Sequence, residues 1–440
     1  MIPSRRDEVI LSRVQVRVES RLMGTGVNDK GREACLESRQ AVLACRFLFP
    51  AITMGFMRIG IDARMMTTGV SRGIGRYIEE LVRALLTVAP QHTYVLIVRQ
   101  NEHPFRSHPS VQTVVADIPW YGFSEQILMP LVLYRLQVDV IHIPHWNVPL
   151  LFWKTPCVLT IHDVLLRREP VSAKISTRQP WLALLKRWGY LLTLRWAVWR
   201  ARSILVPTQA VAEDVRFFYP DSASKLVITG EGMPRPEGKA SLAEDPAAAL
   251  SNPHKYLLYV GSAYPHKGLE FLLACWPEIQ DRFPDLHLSV VGSDDLFMRR
   301  LRESASAHGL RQIDFLGYVP DDRLPELYGG AQAFVFPSRI EGFGLPPLEA
   351  LAAGCPVVCS DIPVLREVLG EDAVFFFRPG SQAAILEALQ RLFSDPRTHR
   401  RRASLAAADL RKRHDWRKTA RITLQSYQSV CAHASTVPHS

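Results

Sequence analysis

The stretch FVFPSRIEGFGLPPLEALAAGCPVVCS, residues 334–360, decides how this chain folds. It opens as an apolar strand, turns through Gly342 and Gly344, enters a helix after Pro346 and closes in a second apolar strand after Cys355. Strands that are apolar throughout and joined by a helix belong to a parallel sheet buried on both faces. The two glycines allow a ligand to approach the backbone closely, and the N–H groups opening the helix after Pro346 are expected to form an anion site suited to a diphosphate. Glu341 and Glu349 have seven residues between them. One falls in the turn and the other about one helical turn inside, where both can accept hydrogen bonds from hydroxyls.

The alternation of strand and helix continues in both directions from this stretch. After residue 255, strands are predicted at 256–260, 286–291, 313–316, 333–336, 356–359 and 374–377, with helices over 268–282, 295–308, 321–329, 346–353 and 381–394. Before residue 234, strands are predicted at 58–62, 93–98, 111–115, 139–143, 157–161, 203–206 and 225–228, with helices near 74–88, 123–136, 178–201 and 208–219. The fold class is therefore α/β: two tandem Rossmann-like, doubly wound domains, 57–233 and 256–412. A linker rich in Pro, Ala, Ser and Gly, 234–255, joins them. Residues 413–440 are expected to form a C-terminal helix that packs back on the N-terminal domain, and a tail. Residues 1–56 mix arginines with acids at no sustained period, and Met57 begins the first strand, so this N-terminal extension is expected to add little to function.

Composition limits the function classes. The 440 residues are 47% hydrophobic and 22% charged, as in a folded chain, and no uncharged apolar run reaches the roughly 18 residues a membrane-spanning helix needs. Seven cysteines (Cys35, Cys45, Cys157, Cys275, Cys355, Cys359 and Cys431) form no C-x-x-C pair and no zinc spacing, which reads as buried thiols in a reducing cytosol. The excess of 53 Lys and Arg over 43 Asp and Glu, +10, suits a phosphate-bearing ligand, an anionic membrane or nucleic acid. Nucleic acid is set aside because the basic residues are not interleaved with a recognition motif.

Residues 334–360 resemble the nucleotide-sugar-binding segment of the retaining family 4 (group 1) glycosyltransferases, with their E-x7-E motif. The resemblance runs through about residues 57–431: Gly261 to Gly268 (GSAYPHKG) is similar to the family's phosphate-binding loop, Ile313 to Pro320 to its F-x-G-x-V element, and GIGRY (73–77) and TIHD (160–163) to its glycine loop and H-D element. It implies the GT-B architecture, two Rossmann-like domains facing across a cleft, with a nucleotide-sugar donor as substrate and neither cofactor nor metal. The sequence accordingly contains no D-x-D triplet.

The resemblance also implies residue roles. Lys267 would neutralise the donor diphosphate, Glu349 would hold the ribose hydroxyls, and Glu341 and His162 would serve catalysis beside the transferred sugar. Gly73, Gly75, Ser262, His266, Gly342, Phe343, Gly344 and Leu345 complete the donor-binding set. The family places arginine where Ser262 and His266 stand, which leaves His266 or Arg339 to supply one diphosphate contact. Asp163 either caps the following turn or touches the acceptor, and His142 and His145, at the preceding strand end, are weaker acceptor candidates. A nicotinamide site at Gly73 and Gly75 is rejected, because ten residues separate Asp62 from Gly73, position 78 is Ile and no acid follows the next strand at Val98.

Between Glu169 and Glu213 the chain has no acid but carries Lys174, Arg178, Lys186, Arg187, Arg195, Arg200 and Arg202, with Trp181, Trp188, Trp196 and Trp199 on a helical stripe. This pattern suits either a core face or the interface of an anionic membrane. The basic run from Arg397 to Arg421 reads as a solvated helix face or a membrane contact. The resemblance implies a cytoplasmic retaining glycosyltransferase that moves a hexose onto a saccharide or lipid-linked saccharide of envelope or exopolysaccharide assembly, with peripheral contact to the membrane face as the alternative to a core role for the Trp stripe. GIGRY, TIHD and the EGFGLPPLEAL string resemble the mannosyltransferase-like branch, implying GDP-mannose as donor, with a UDP-sugar as the alternative and a non-catalytic partner subunit as a third reading.

Overall fold

A computed structural model describes residues 55–66, 73–168, 180–233, 254–371 and 373–436 of the chain. Most of the N-terminal extension, the segment before Gly73, the stretch carrying Lys174 and Arg178, and all but the end of the linker lie outside the described residues.

Two parallel sheets account for the alternation. The first contains β1 (Arg58–Asp62), β2 (Thr93–Val98), β3 (Val111–Val115), β4 (Val140–Ile143), β5 (Cys157–Thr160), β6 (Ser203–Val206) and β7 (Leu226–Ile228), in the order β3-β2-β1-β4-β5-β6-β7. The second contains β8 (Lys255–Val260), β9 (Leu286–Val291), β10 (Ile313–Gly317), β11 (Ala333–Phe336), β12 (Val357–Ser360) and β13 (Val374–Phe377), in the order β10-β9-β8-β11-β12-β13. Each order reverses once, between β1 and β4 and between β8 and β11, where doubly wound sheets open a crevice beyond the carboxyl ends of their strands. Strands such as TYVLIV and KYLLYV are buried along almost their whole length, because helices cover both faces.

The longer helices of the first half are α1 (Ile74–Val88), α2 (Phe123–Arg135), α3 (Pro180–Arg200) and α4 (Gln209–Phe218), and a single helical turn covers Leu165–Arg168. In the second half they are α5 (Leu269–Arg282), α6 (Leu296–Ala307), α7 (Leu324–Gly330), α8 (Leu345–Ala352), α9 (Pro363–Leu369), α10 (Gln382–Ser394), α11 (Pro396–Arg413) and α12 (Trp416–Thr436). By packing, the chain divides into two compact units. One takes residues through Thr160, Thr193–Ile204 and residues from Thr423; the other takes Ile161–Leu192 and Leu205–Ile422.

Three features depart from the sequence reading. Helix α9 (PVLREVL) is too short to show a period and was not foreseen. The C-terminal basic run is not one helix, since α11 stops at Arg413 and α12 begins at Trp416, with the Asp415 carboxylate accepting from Arg417 N at 2.9 Å. One face of α11 is also buried, through Ala403, Ala407 and Leu410, while Arg400 donates from Nη1 to the Gly329 carbonyl at 2.6 Å and from Nη2 to that of Ala331. Among the described residues no helix is long and apolar enough to cross a membrane. Burial pushes the Cys157 and Cys355 thiols up to about 12, so neither is a nucleophile near neutrality.

After β7 the chain lies against the α11–α12 junction. Met233 N donates to the His414 carbonyl at 2.8 Å, and a Cβ on Gly232 would stand 2.2 Å from the Trp416 ring and 2.6 Å from its backbone nitrogen. Only a residue without a side chain fits. Gly232→Ala should therefore cost about 1–3 kcal/mol, the usual range for overpacking, read as a lowered urea midpoint; an unchanged midpoint would show that the junction yields.

Candidate functional site

The reversal between β8 and β11 assembles the centre of the site. β8 ends at Val260 and leads through residues 261–264 and a 3-10 turn, Pro265–Lys267, into α5, while β11 ends at Phe336 and leads through Glu341 into α8. The two loops are neighbours because their strands pair. Lys267 Nζ donates to both Glu341 oxygens, at 2.8 and 3.0 Å. Gly268 is what allows the approach: its φ is +74°, and a Cβ there would stand 2.2 Å from the Pro337 carbonyl oxygen. Arg339 N donates to the His266 carbonyl at 2.8 Å and Ser338 Oγ donates to the same oxygen at 3.2 Å, tying the loops along their length.

Glu349 lies in the second turn of α8, and its Oε2 accepts from the Tyr328 hydroxyl at 3.0 Å. Tyr328, on α7, positions this carboxylate and was missed from sequence; an aromatic on a short helix carries no distinguishing signal. The helix opening differs from expectation. α8 begins at Leu345 under Gly344 (φ +91°), and Pro346 and Pro347 both lie in its first turn without an N–H. That first turn therefore offers an anion fewer N–H donors than a helix opening without prolines. Phe343 is buried with its ring edge-on to His414 at 5.3 Å, and so packs rather than offering a face to a ligand.

His162 and Asp163 follow β5. A Cβ on Gly342 would stand 2.0 Å from the His162 carbonyl oxygen, so the two backbones touch. Thr208 Oγ1 donates to the Gly342 carbonyl at 3.2 Å and accepts from Val211 N at 3.2 Å, capping α4. His162 Nδ1 lies 3.3 Å from Oε1 of buried Glu231, which follows β7. Glu231 was also missed, although a carboxylate in the loop beyond a parallel strand's carboxyl end is the kind of residue that position favours. Asp163 Oδ1 accepts from Leu165 N at 2.9 Å; the structure assigns it the capping role. His266 is buried and stacks on Tyr264, while exposed Arg339 donates to the Pro265 carbonyl at 3.4 Å. Ser262 contributes its carbonyl to Tyr259, whose hydroxyl donates at 2.7 Å.

The first unit holds the remaining candidates. Gly73 (φ +57°) caps α1, and Gly75 is buried inside it. His142 is fully buried between the Thr160 and Tyr427 hydroxyls, each at 2.7 Å. His145 is buried as well, with Nε2 3.1 Å from Asp62 and Nδ1 accepting from Asn147 N at 3.2 Å. Both histidines are thus held inside the unit rather than exposed to an acceptor. Asp62 and Glu125 converge on Arg64, which donates to Asp62 at 2.7 and 2.8 Å and to Glu125 at 2.5 Å, all three side chains being at most 2% exposed. Asp62, Glu125 and His145 have ligand atoms within 4.8 Å of one another, a spacing that could hold a metal, but the guanidinium already satisfies the two carboxylates. Burial opposes the charged form of Asp62, yet Arg64 and His145 prevail and hold its carboxyl well below the usual range.

The model for Glycosyltransferase Family 4 matches residues 71–233, and that for glycosyl transferases group 1 matches residues 243–418. The serotype-specific mannosyltransferase WbdA of Escherichia coli is 31% identical over 406 residues, covering 81% of this chain and 46% of the relative. The O-antigen chain mannosyltransferase B of Escherichia coli is 37% identical over 178 residues, covering 39% of this chain and 45% of the relative. This chain therefore spans less than half the length of these two curated relatives. Among solved structures, Anabaena HepE in complex with UDP and glucose aligns over 87% of this chain and 100% of its own, with a TM-score of 0.62 and 16% identity, a likeness of fold.

Arg64→Met should destabilise the protein by about 3–5 kcal/mol, because it leaves two buried carboxylates without their cation. The Asp62 contribution is complete above the ordinary carboxylate range, about 3.9, and is withdrawn as pH falls through the depressed native value. The wild-type urea midpoint should therefore fall more steeply between about pH 4 and pH 2 than that of Asp62→Asn; parallel curves would mean that the network contributes nothing.

Proposed function

The chain belongs to the group 1, family 4 glycosyltransferases, and on that premise we propose that it is a retaining hexosyltransferase, moving mannose from GDP-mannose to a hydroxyl of a saccharide or lipid-linked saccharide in envelope polysaccharide assembly. The observation that carries this reading is the Lys267–Glu341 pair beyond β8 and β11, with Gly342 against the His162 backbone. A sugar diphosphate needs a cation that follows growing negative charge on the leaving phosphate, and Lys267 is about a quarter exposed in a glycine-opened loop. Donor binding would redirect its three N–H donors toward the diphosphate and release Glu341 to hold the hexose hydroxyls.

Retention of configuration fits attack on the departing phosphate's own face, with no protein nucleophile assigned. Glu231 beside His162 Nδ1 favours the tautomer with the proton on Nδ1, leaving Nε2 as an acceptor for a sugar hydroxyl. A cytoplasmic place, peripheral on an anionic membrane, belongs to the same reading, since a lipid-linked acceptor lies there. A UDP-sugar donor is the second reading, favoured by the likeness of fold to HepE, which was solved with UDP and glucose.

Hydrolysis assays with GDP-mannose, UDP-glucose, UDP-galactose and UDP-N-acetylglucosamine should show preference for GDP-mannose. Preference for a UDP-sugar would refute the mannose assignment, and no turnover with any donor or acceptor would favour a non-catalytic partner subunit. Glu349→Ala should raise the donor KM more than it lowers kcat, as expected for uniform binding at the ribose. Glu341→Ala and His162→Ala should each lower kcat by roughly 10²-fold with modest change in KM. The reverse split would exchange the two glutamates.

A further inference from the structure

One part of the first unit exposes large apolar side chains from two helices and the loop between them. α2 turns Phe123, Ile127 and Leu131 outward at i, i+4 spacing, 91%, 62% and 51% exposed, while Met129, Val132 and Leu133 fill its inner face. A helix that only covers a core needs one apolar face, and α2 has two. The loop after β4 is fastened to it: the Tyr134 hydroxyl donates to the Leu151 carbonyl at 2.8 Å and accepts from Trp153 N at 3.3 Å. Trp153 itself is 62% exposed.

The end of α3 borders the same loop. Trp196 Nε1 donates to the Pro149 carbonyl at 3.2 Å, and Arg200 donates to the Phe152 and Thr155 carbonyls. Beside them Trp199 is 67% exposed, its ring 5.0 Å from that of Trp196.

The charge around these side chains has one sign. Arg135, Lys154, Arg195 and Arg202 are exposed. Across residues 123–136, 144–156 and 193–202 the sole acid is Glu125, which is buried on Arg64. A second copy of the same surface would set cation against cation. We propose that α2, the 149–154 loop and the end of α3 form a docking surface for an anionic lipid bilayer, the aromatic and aliphatic side chains entering the headgroup boundary and the cations meeting lipid phosphates. The proposal gives the peripheral membrane contact of the proposed function a place and rests on that reading for why a membrane is needed. Vesicle binding is measured without donor or acceptor, so either can fail alone.

The full chain is sedimented with phosphatidylglycerol–phosphatidylethanolamine vesicles and with phosphatidylcholine vesicles. Binding should be confined to the anionic vesicles and should weaken at least about tenfold between low salt and about 0.5 M NaCl. The Phe123→Ser/Ile127→Ser/Trp153→Ser variant and the Arg195→Glu/Arg202→Glu variant should each lose about tenfold or more, with Tm and soluble-donor hydrolysis unchanged. Phe217→Ser, an exposed aromatic on α4, should bind as wild type. Equal recovery in the supernatant with and without anionic vesicles, or full binding by both variants, would overturn the proposal. So would a concentration-dependent dimer that the apolar variant abolishes in a chain that ignores vesicles.

Discussion

Backbone approaches backbone where Gly342 meets the His162 carbonyl, and a single β-carbon would close that gap to 2.0 Å. The surrounding contacts depend on this approach. With Gly342 in place, its own carbonyl accepts from Thr208, which also caps α4, and Glu367 on α9 accepts from the next two α4 amides, Gln209 N at 2.7 Å and Ala210 N at 3.0 Å. The first three amides of α4 are thus satisfied by Glu367 and by Thr208 itself, whose hydroxyl in turn donates to the loop at Gly342. One residue earlier, Glu341 pairs with Lys267 before the chain enters α8.

Two ion clusters stand beyond the two points of strand-order reversal, and they differ in kind. Arg64, Asp62 and Glu125 are closed off from water and mutually satisfied; such a cluster holds geometry, and its loss of one partner is costly because the others remain buried and charged. Lys267 and Glu341 are partly open, joined by one cation and one carboxylate, and a diphosphate can compete for that cation at modest cost. The closed cluster fixes the end of β1, while the open one sits where a substrate would bring its own charge.

The strands were legible because a doubly covered parallel strand must be apolar along its length, as AFVF is. The glycine turn and the two glutamates at their spacing were legible for a similar reason, since turn geometry and helical pitch act over a few residues. Helix α9 was not, because seven residues show no complete period, and Pro346 and Pro347 altered the anion site in a way that follows from their missing N–H groups once the helix start is known.

Side-chain partners divide differently. The order of the elements, the tandem doubly wound pattern and the spacing of Glu341 and Glu349 could be read along the chain, and the resemblance to a known family implied Lys267 and His162. Only the tertiary structure decided that His142 joins Thr160 and Tyr427, that His145 faces Asp62, that Glu231 meets His162 and that α2 is apolar on its outer face too. Secondary structure follows from interactions within a few residues, whereas a side chain's partner and its exposure are set by segments such as Tyr427 and His142, 285 residues apart in sequence, that only the packed sheet brings together.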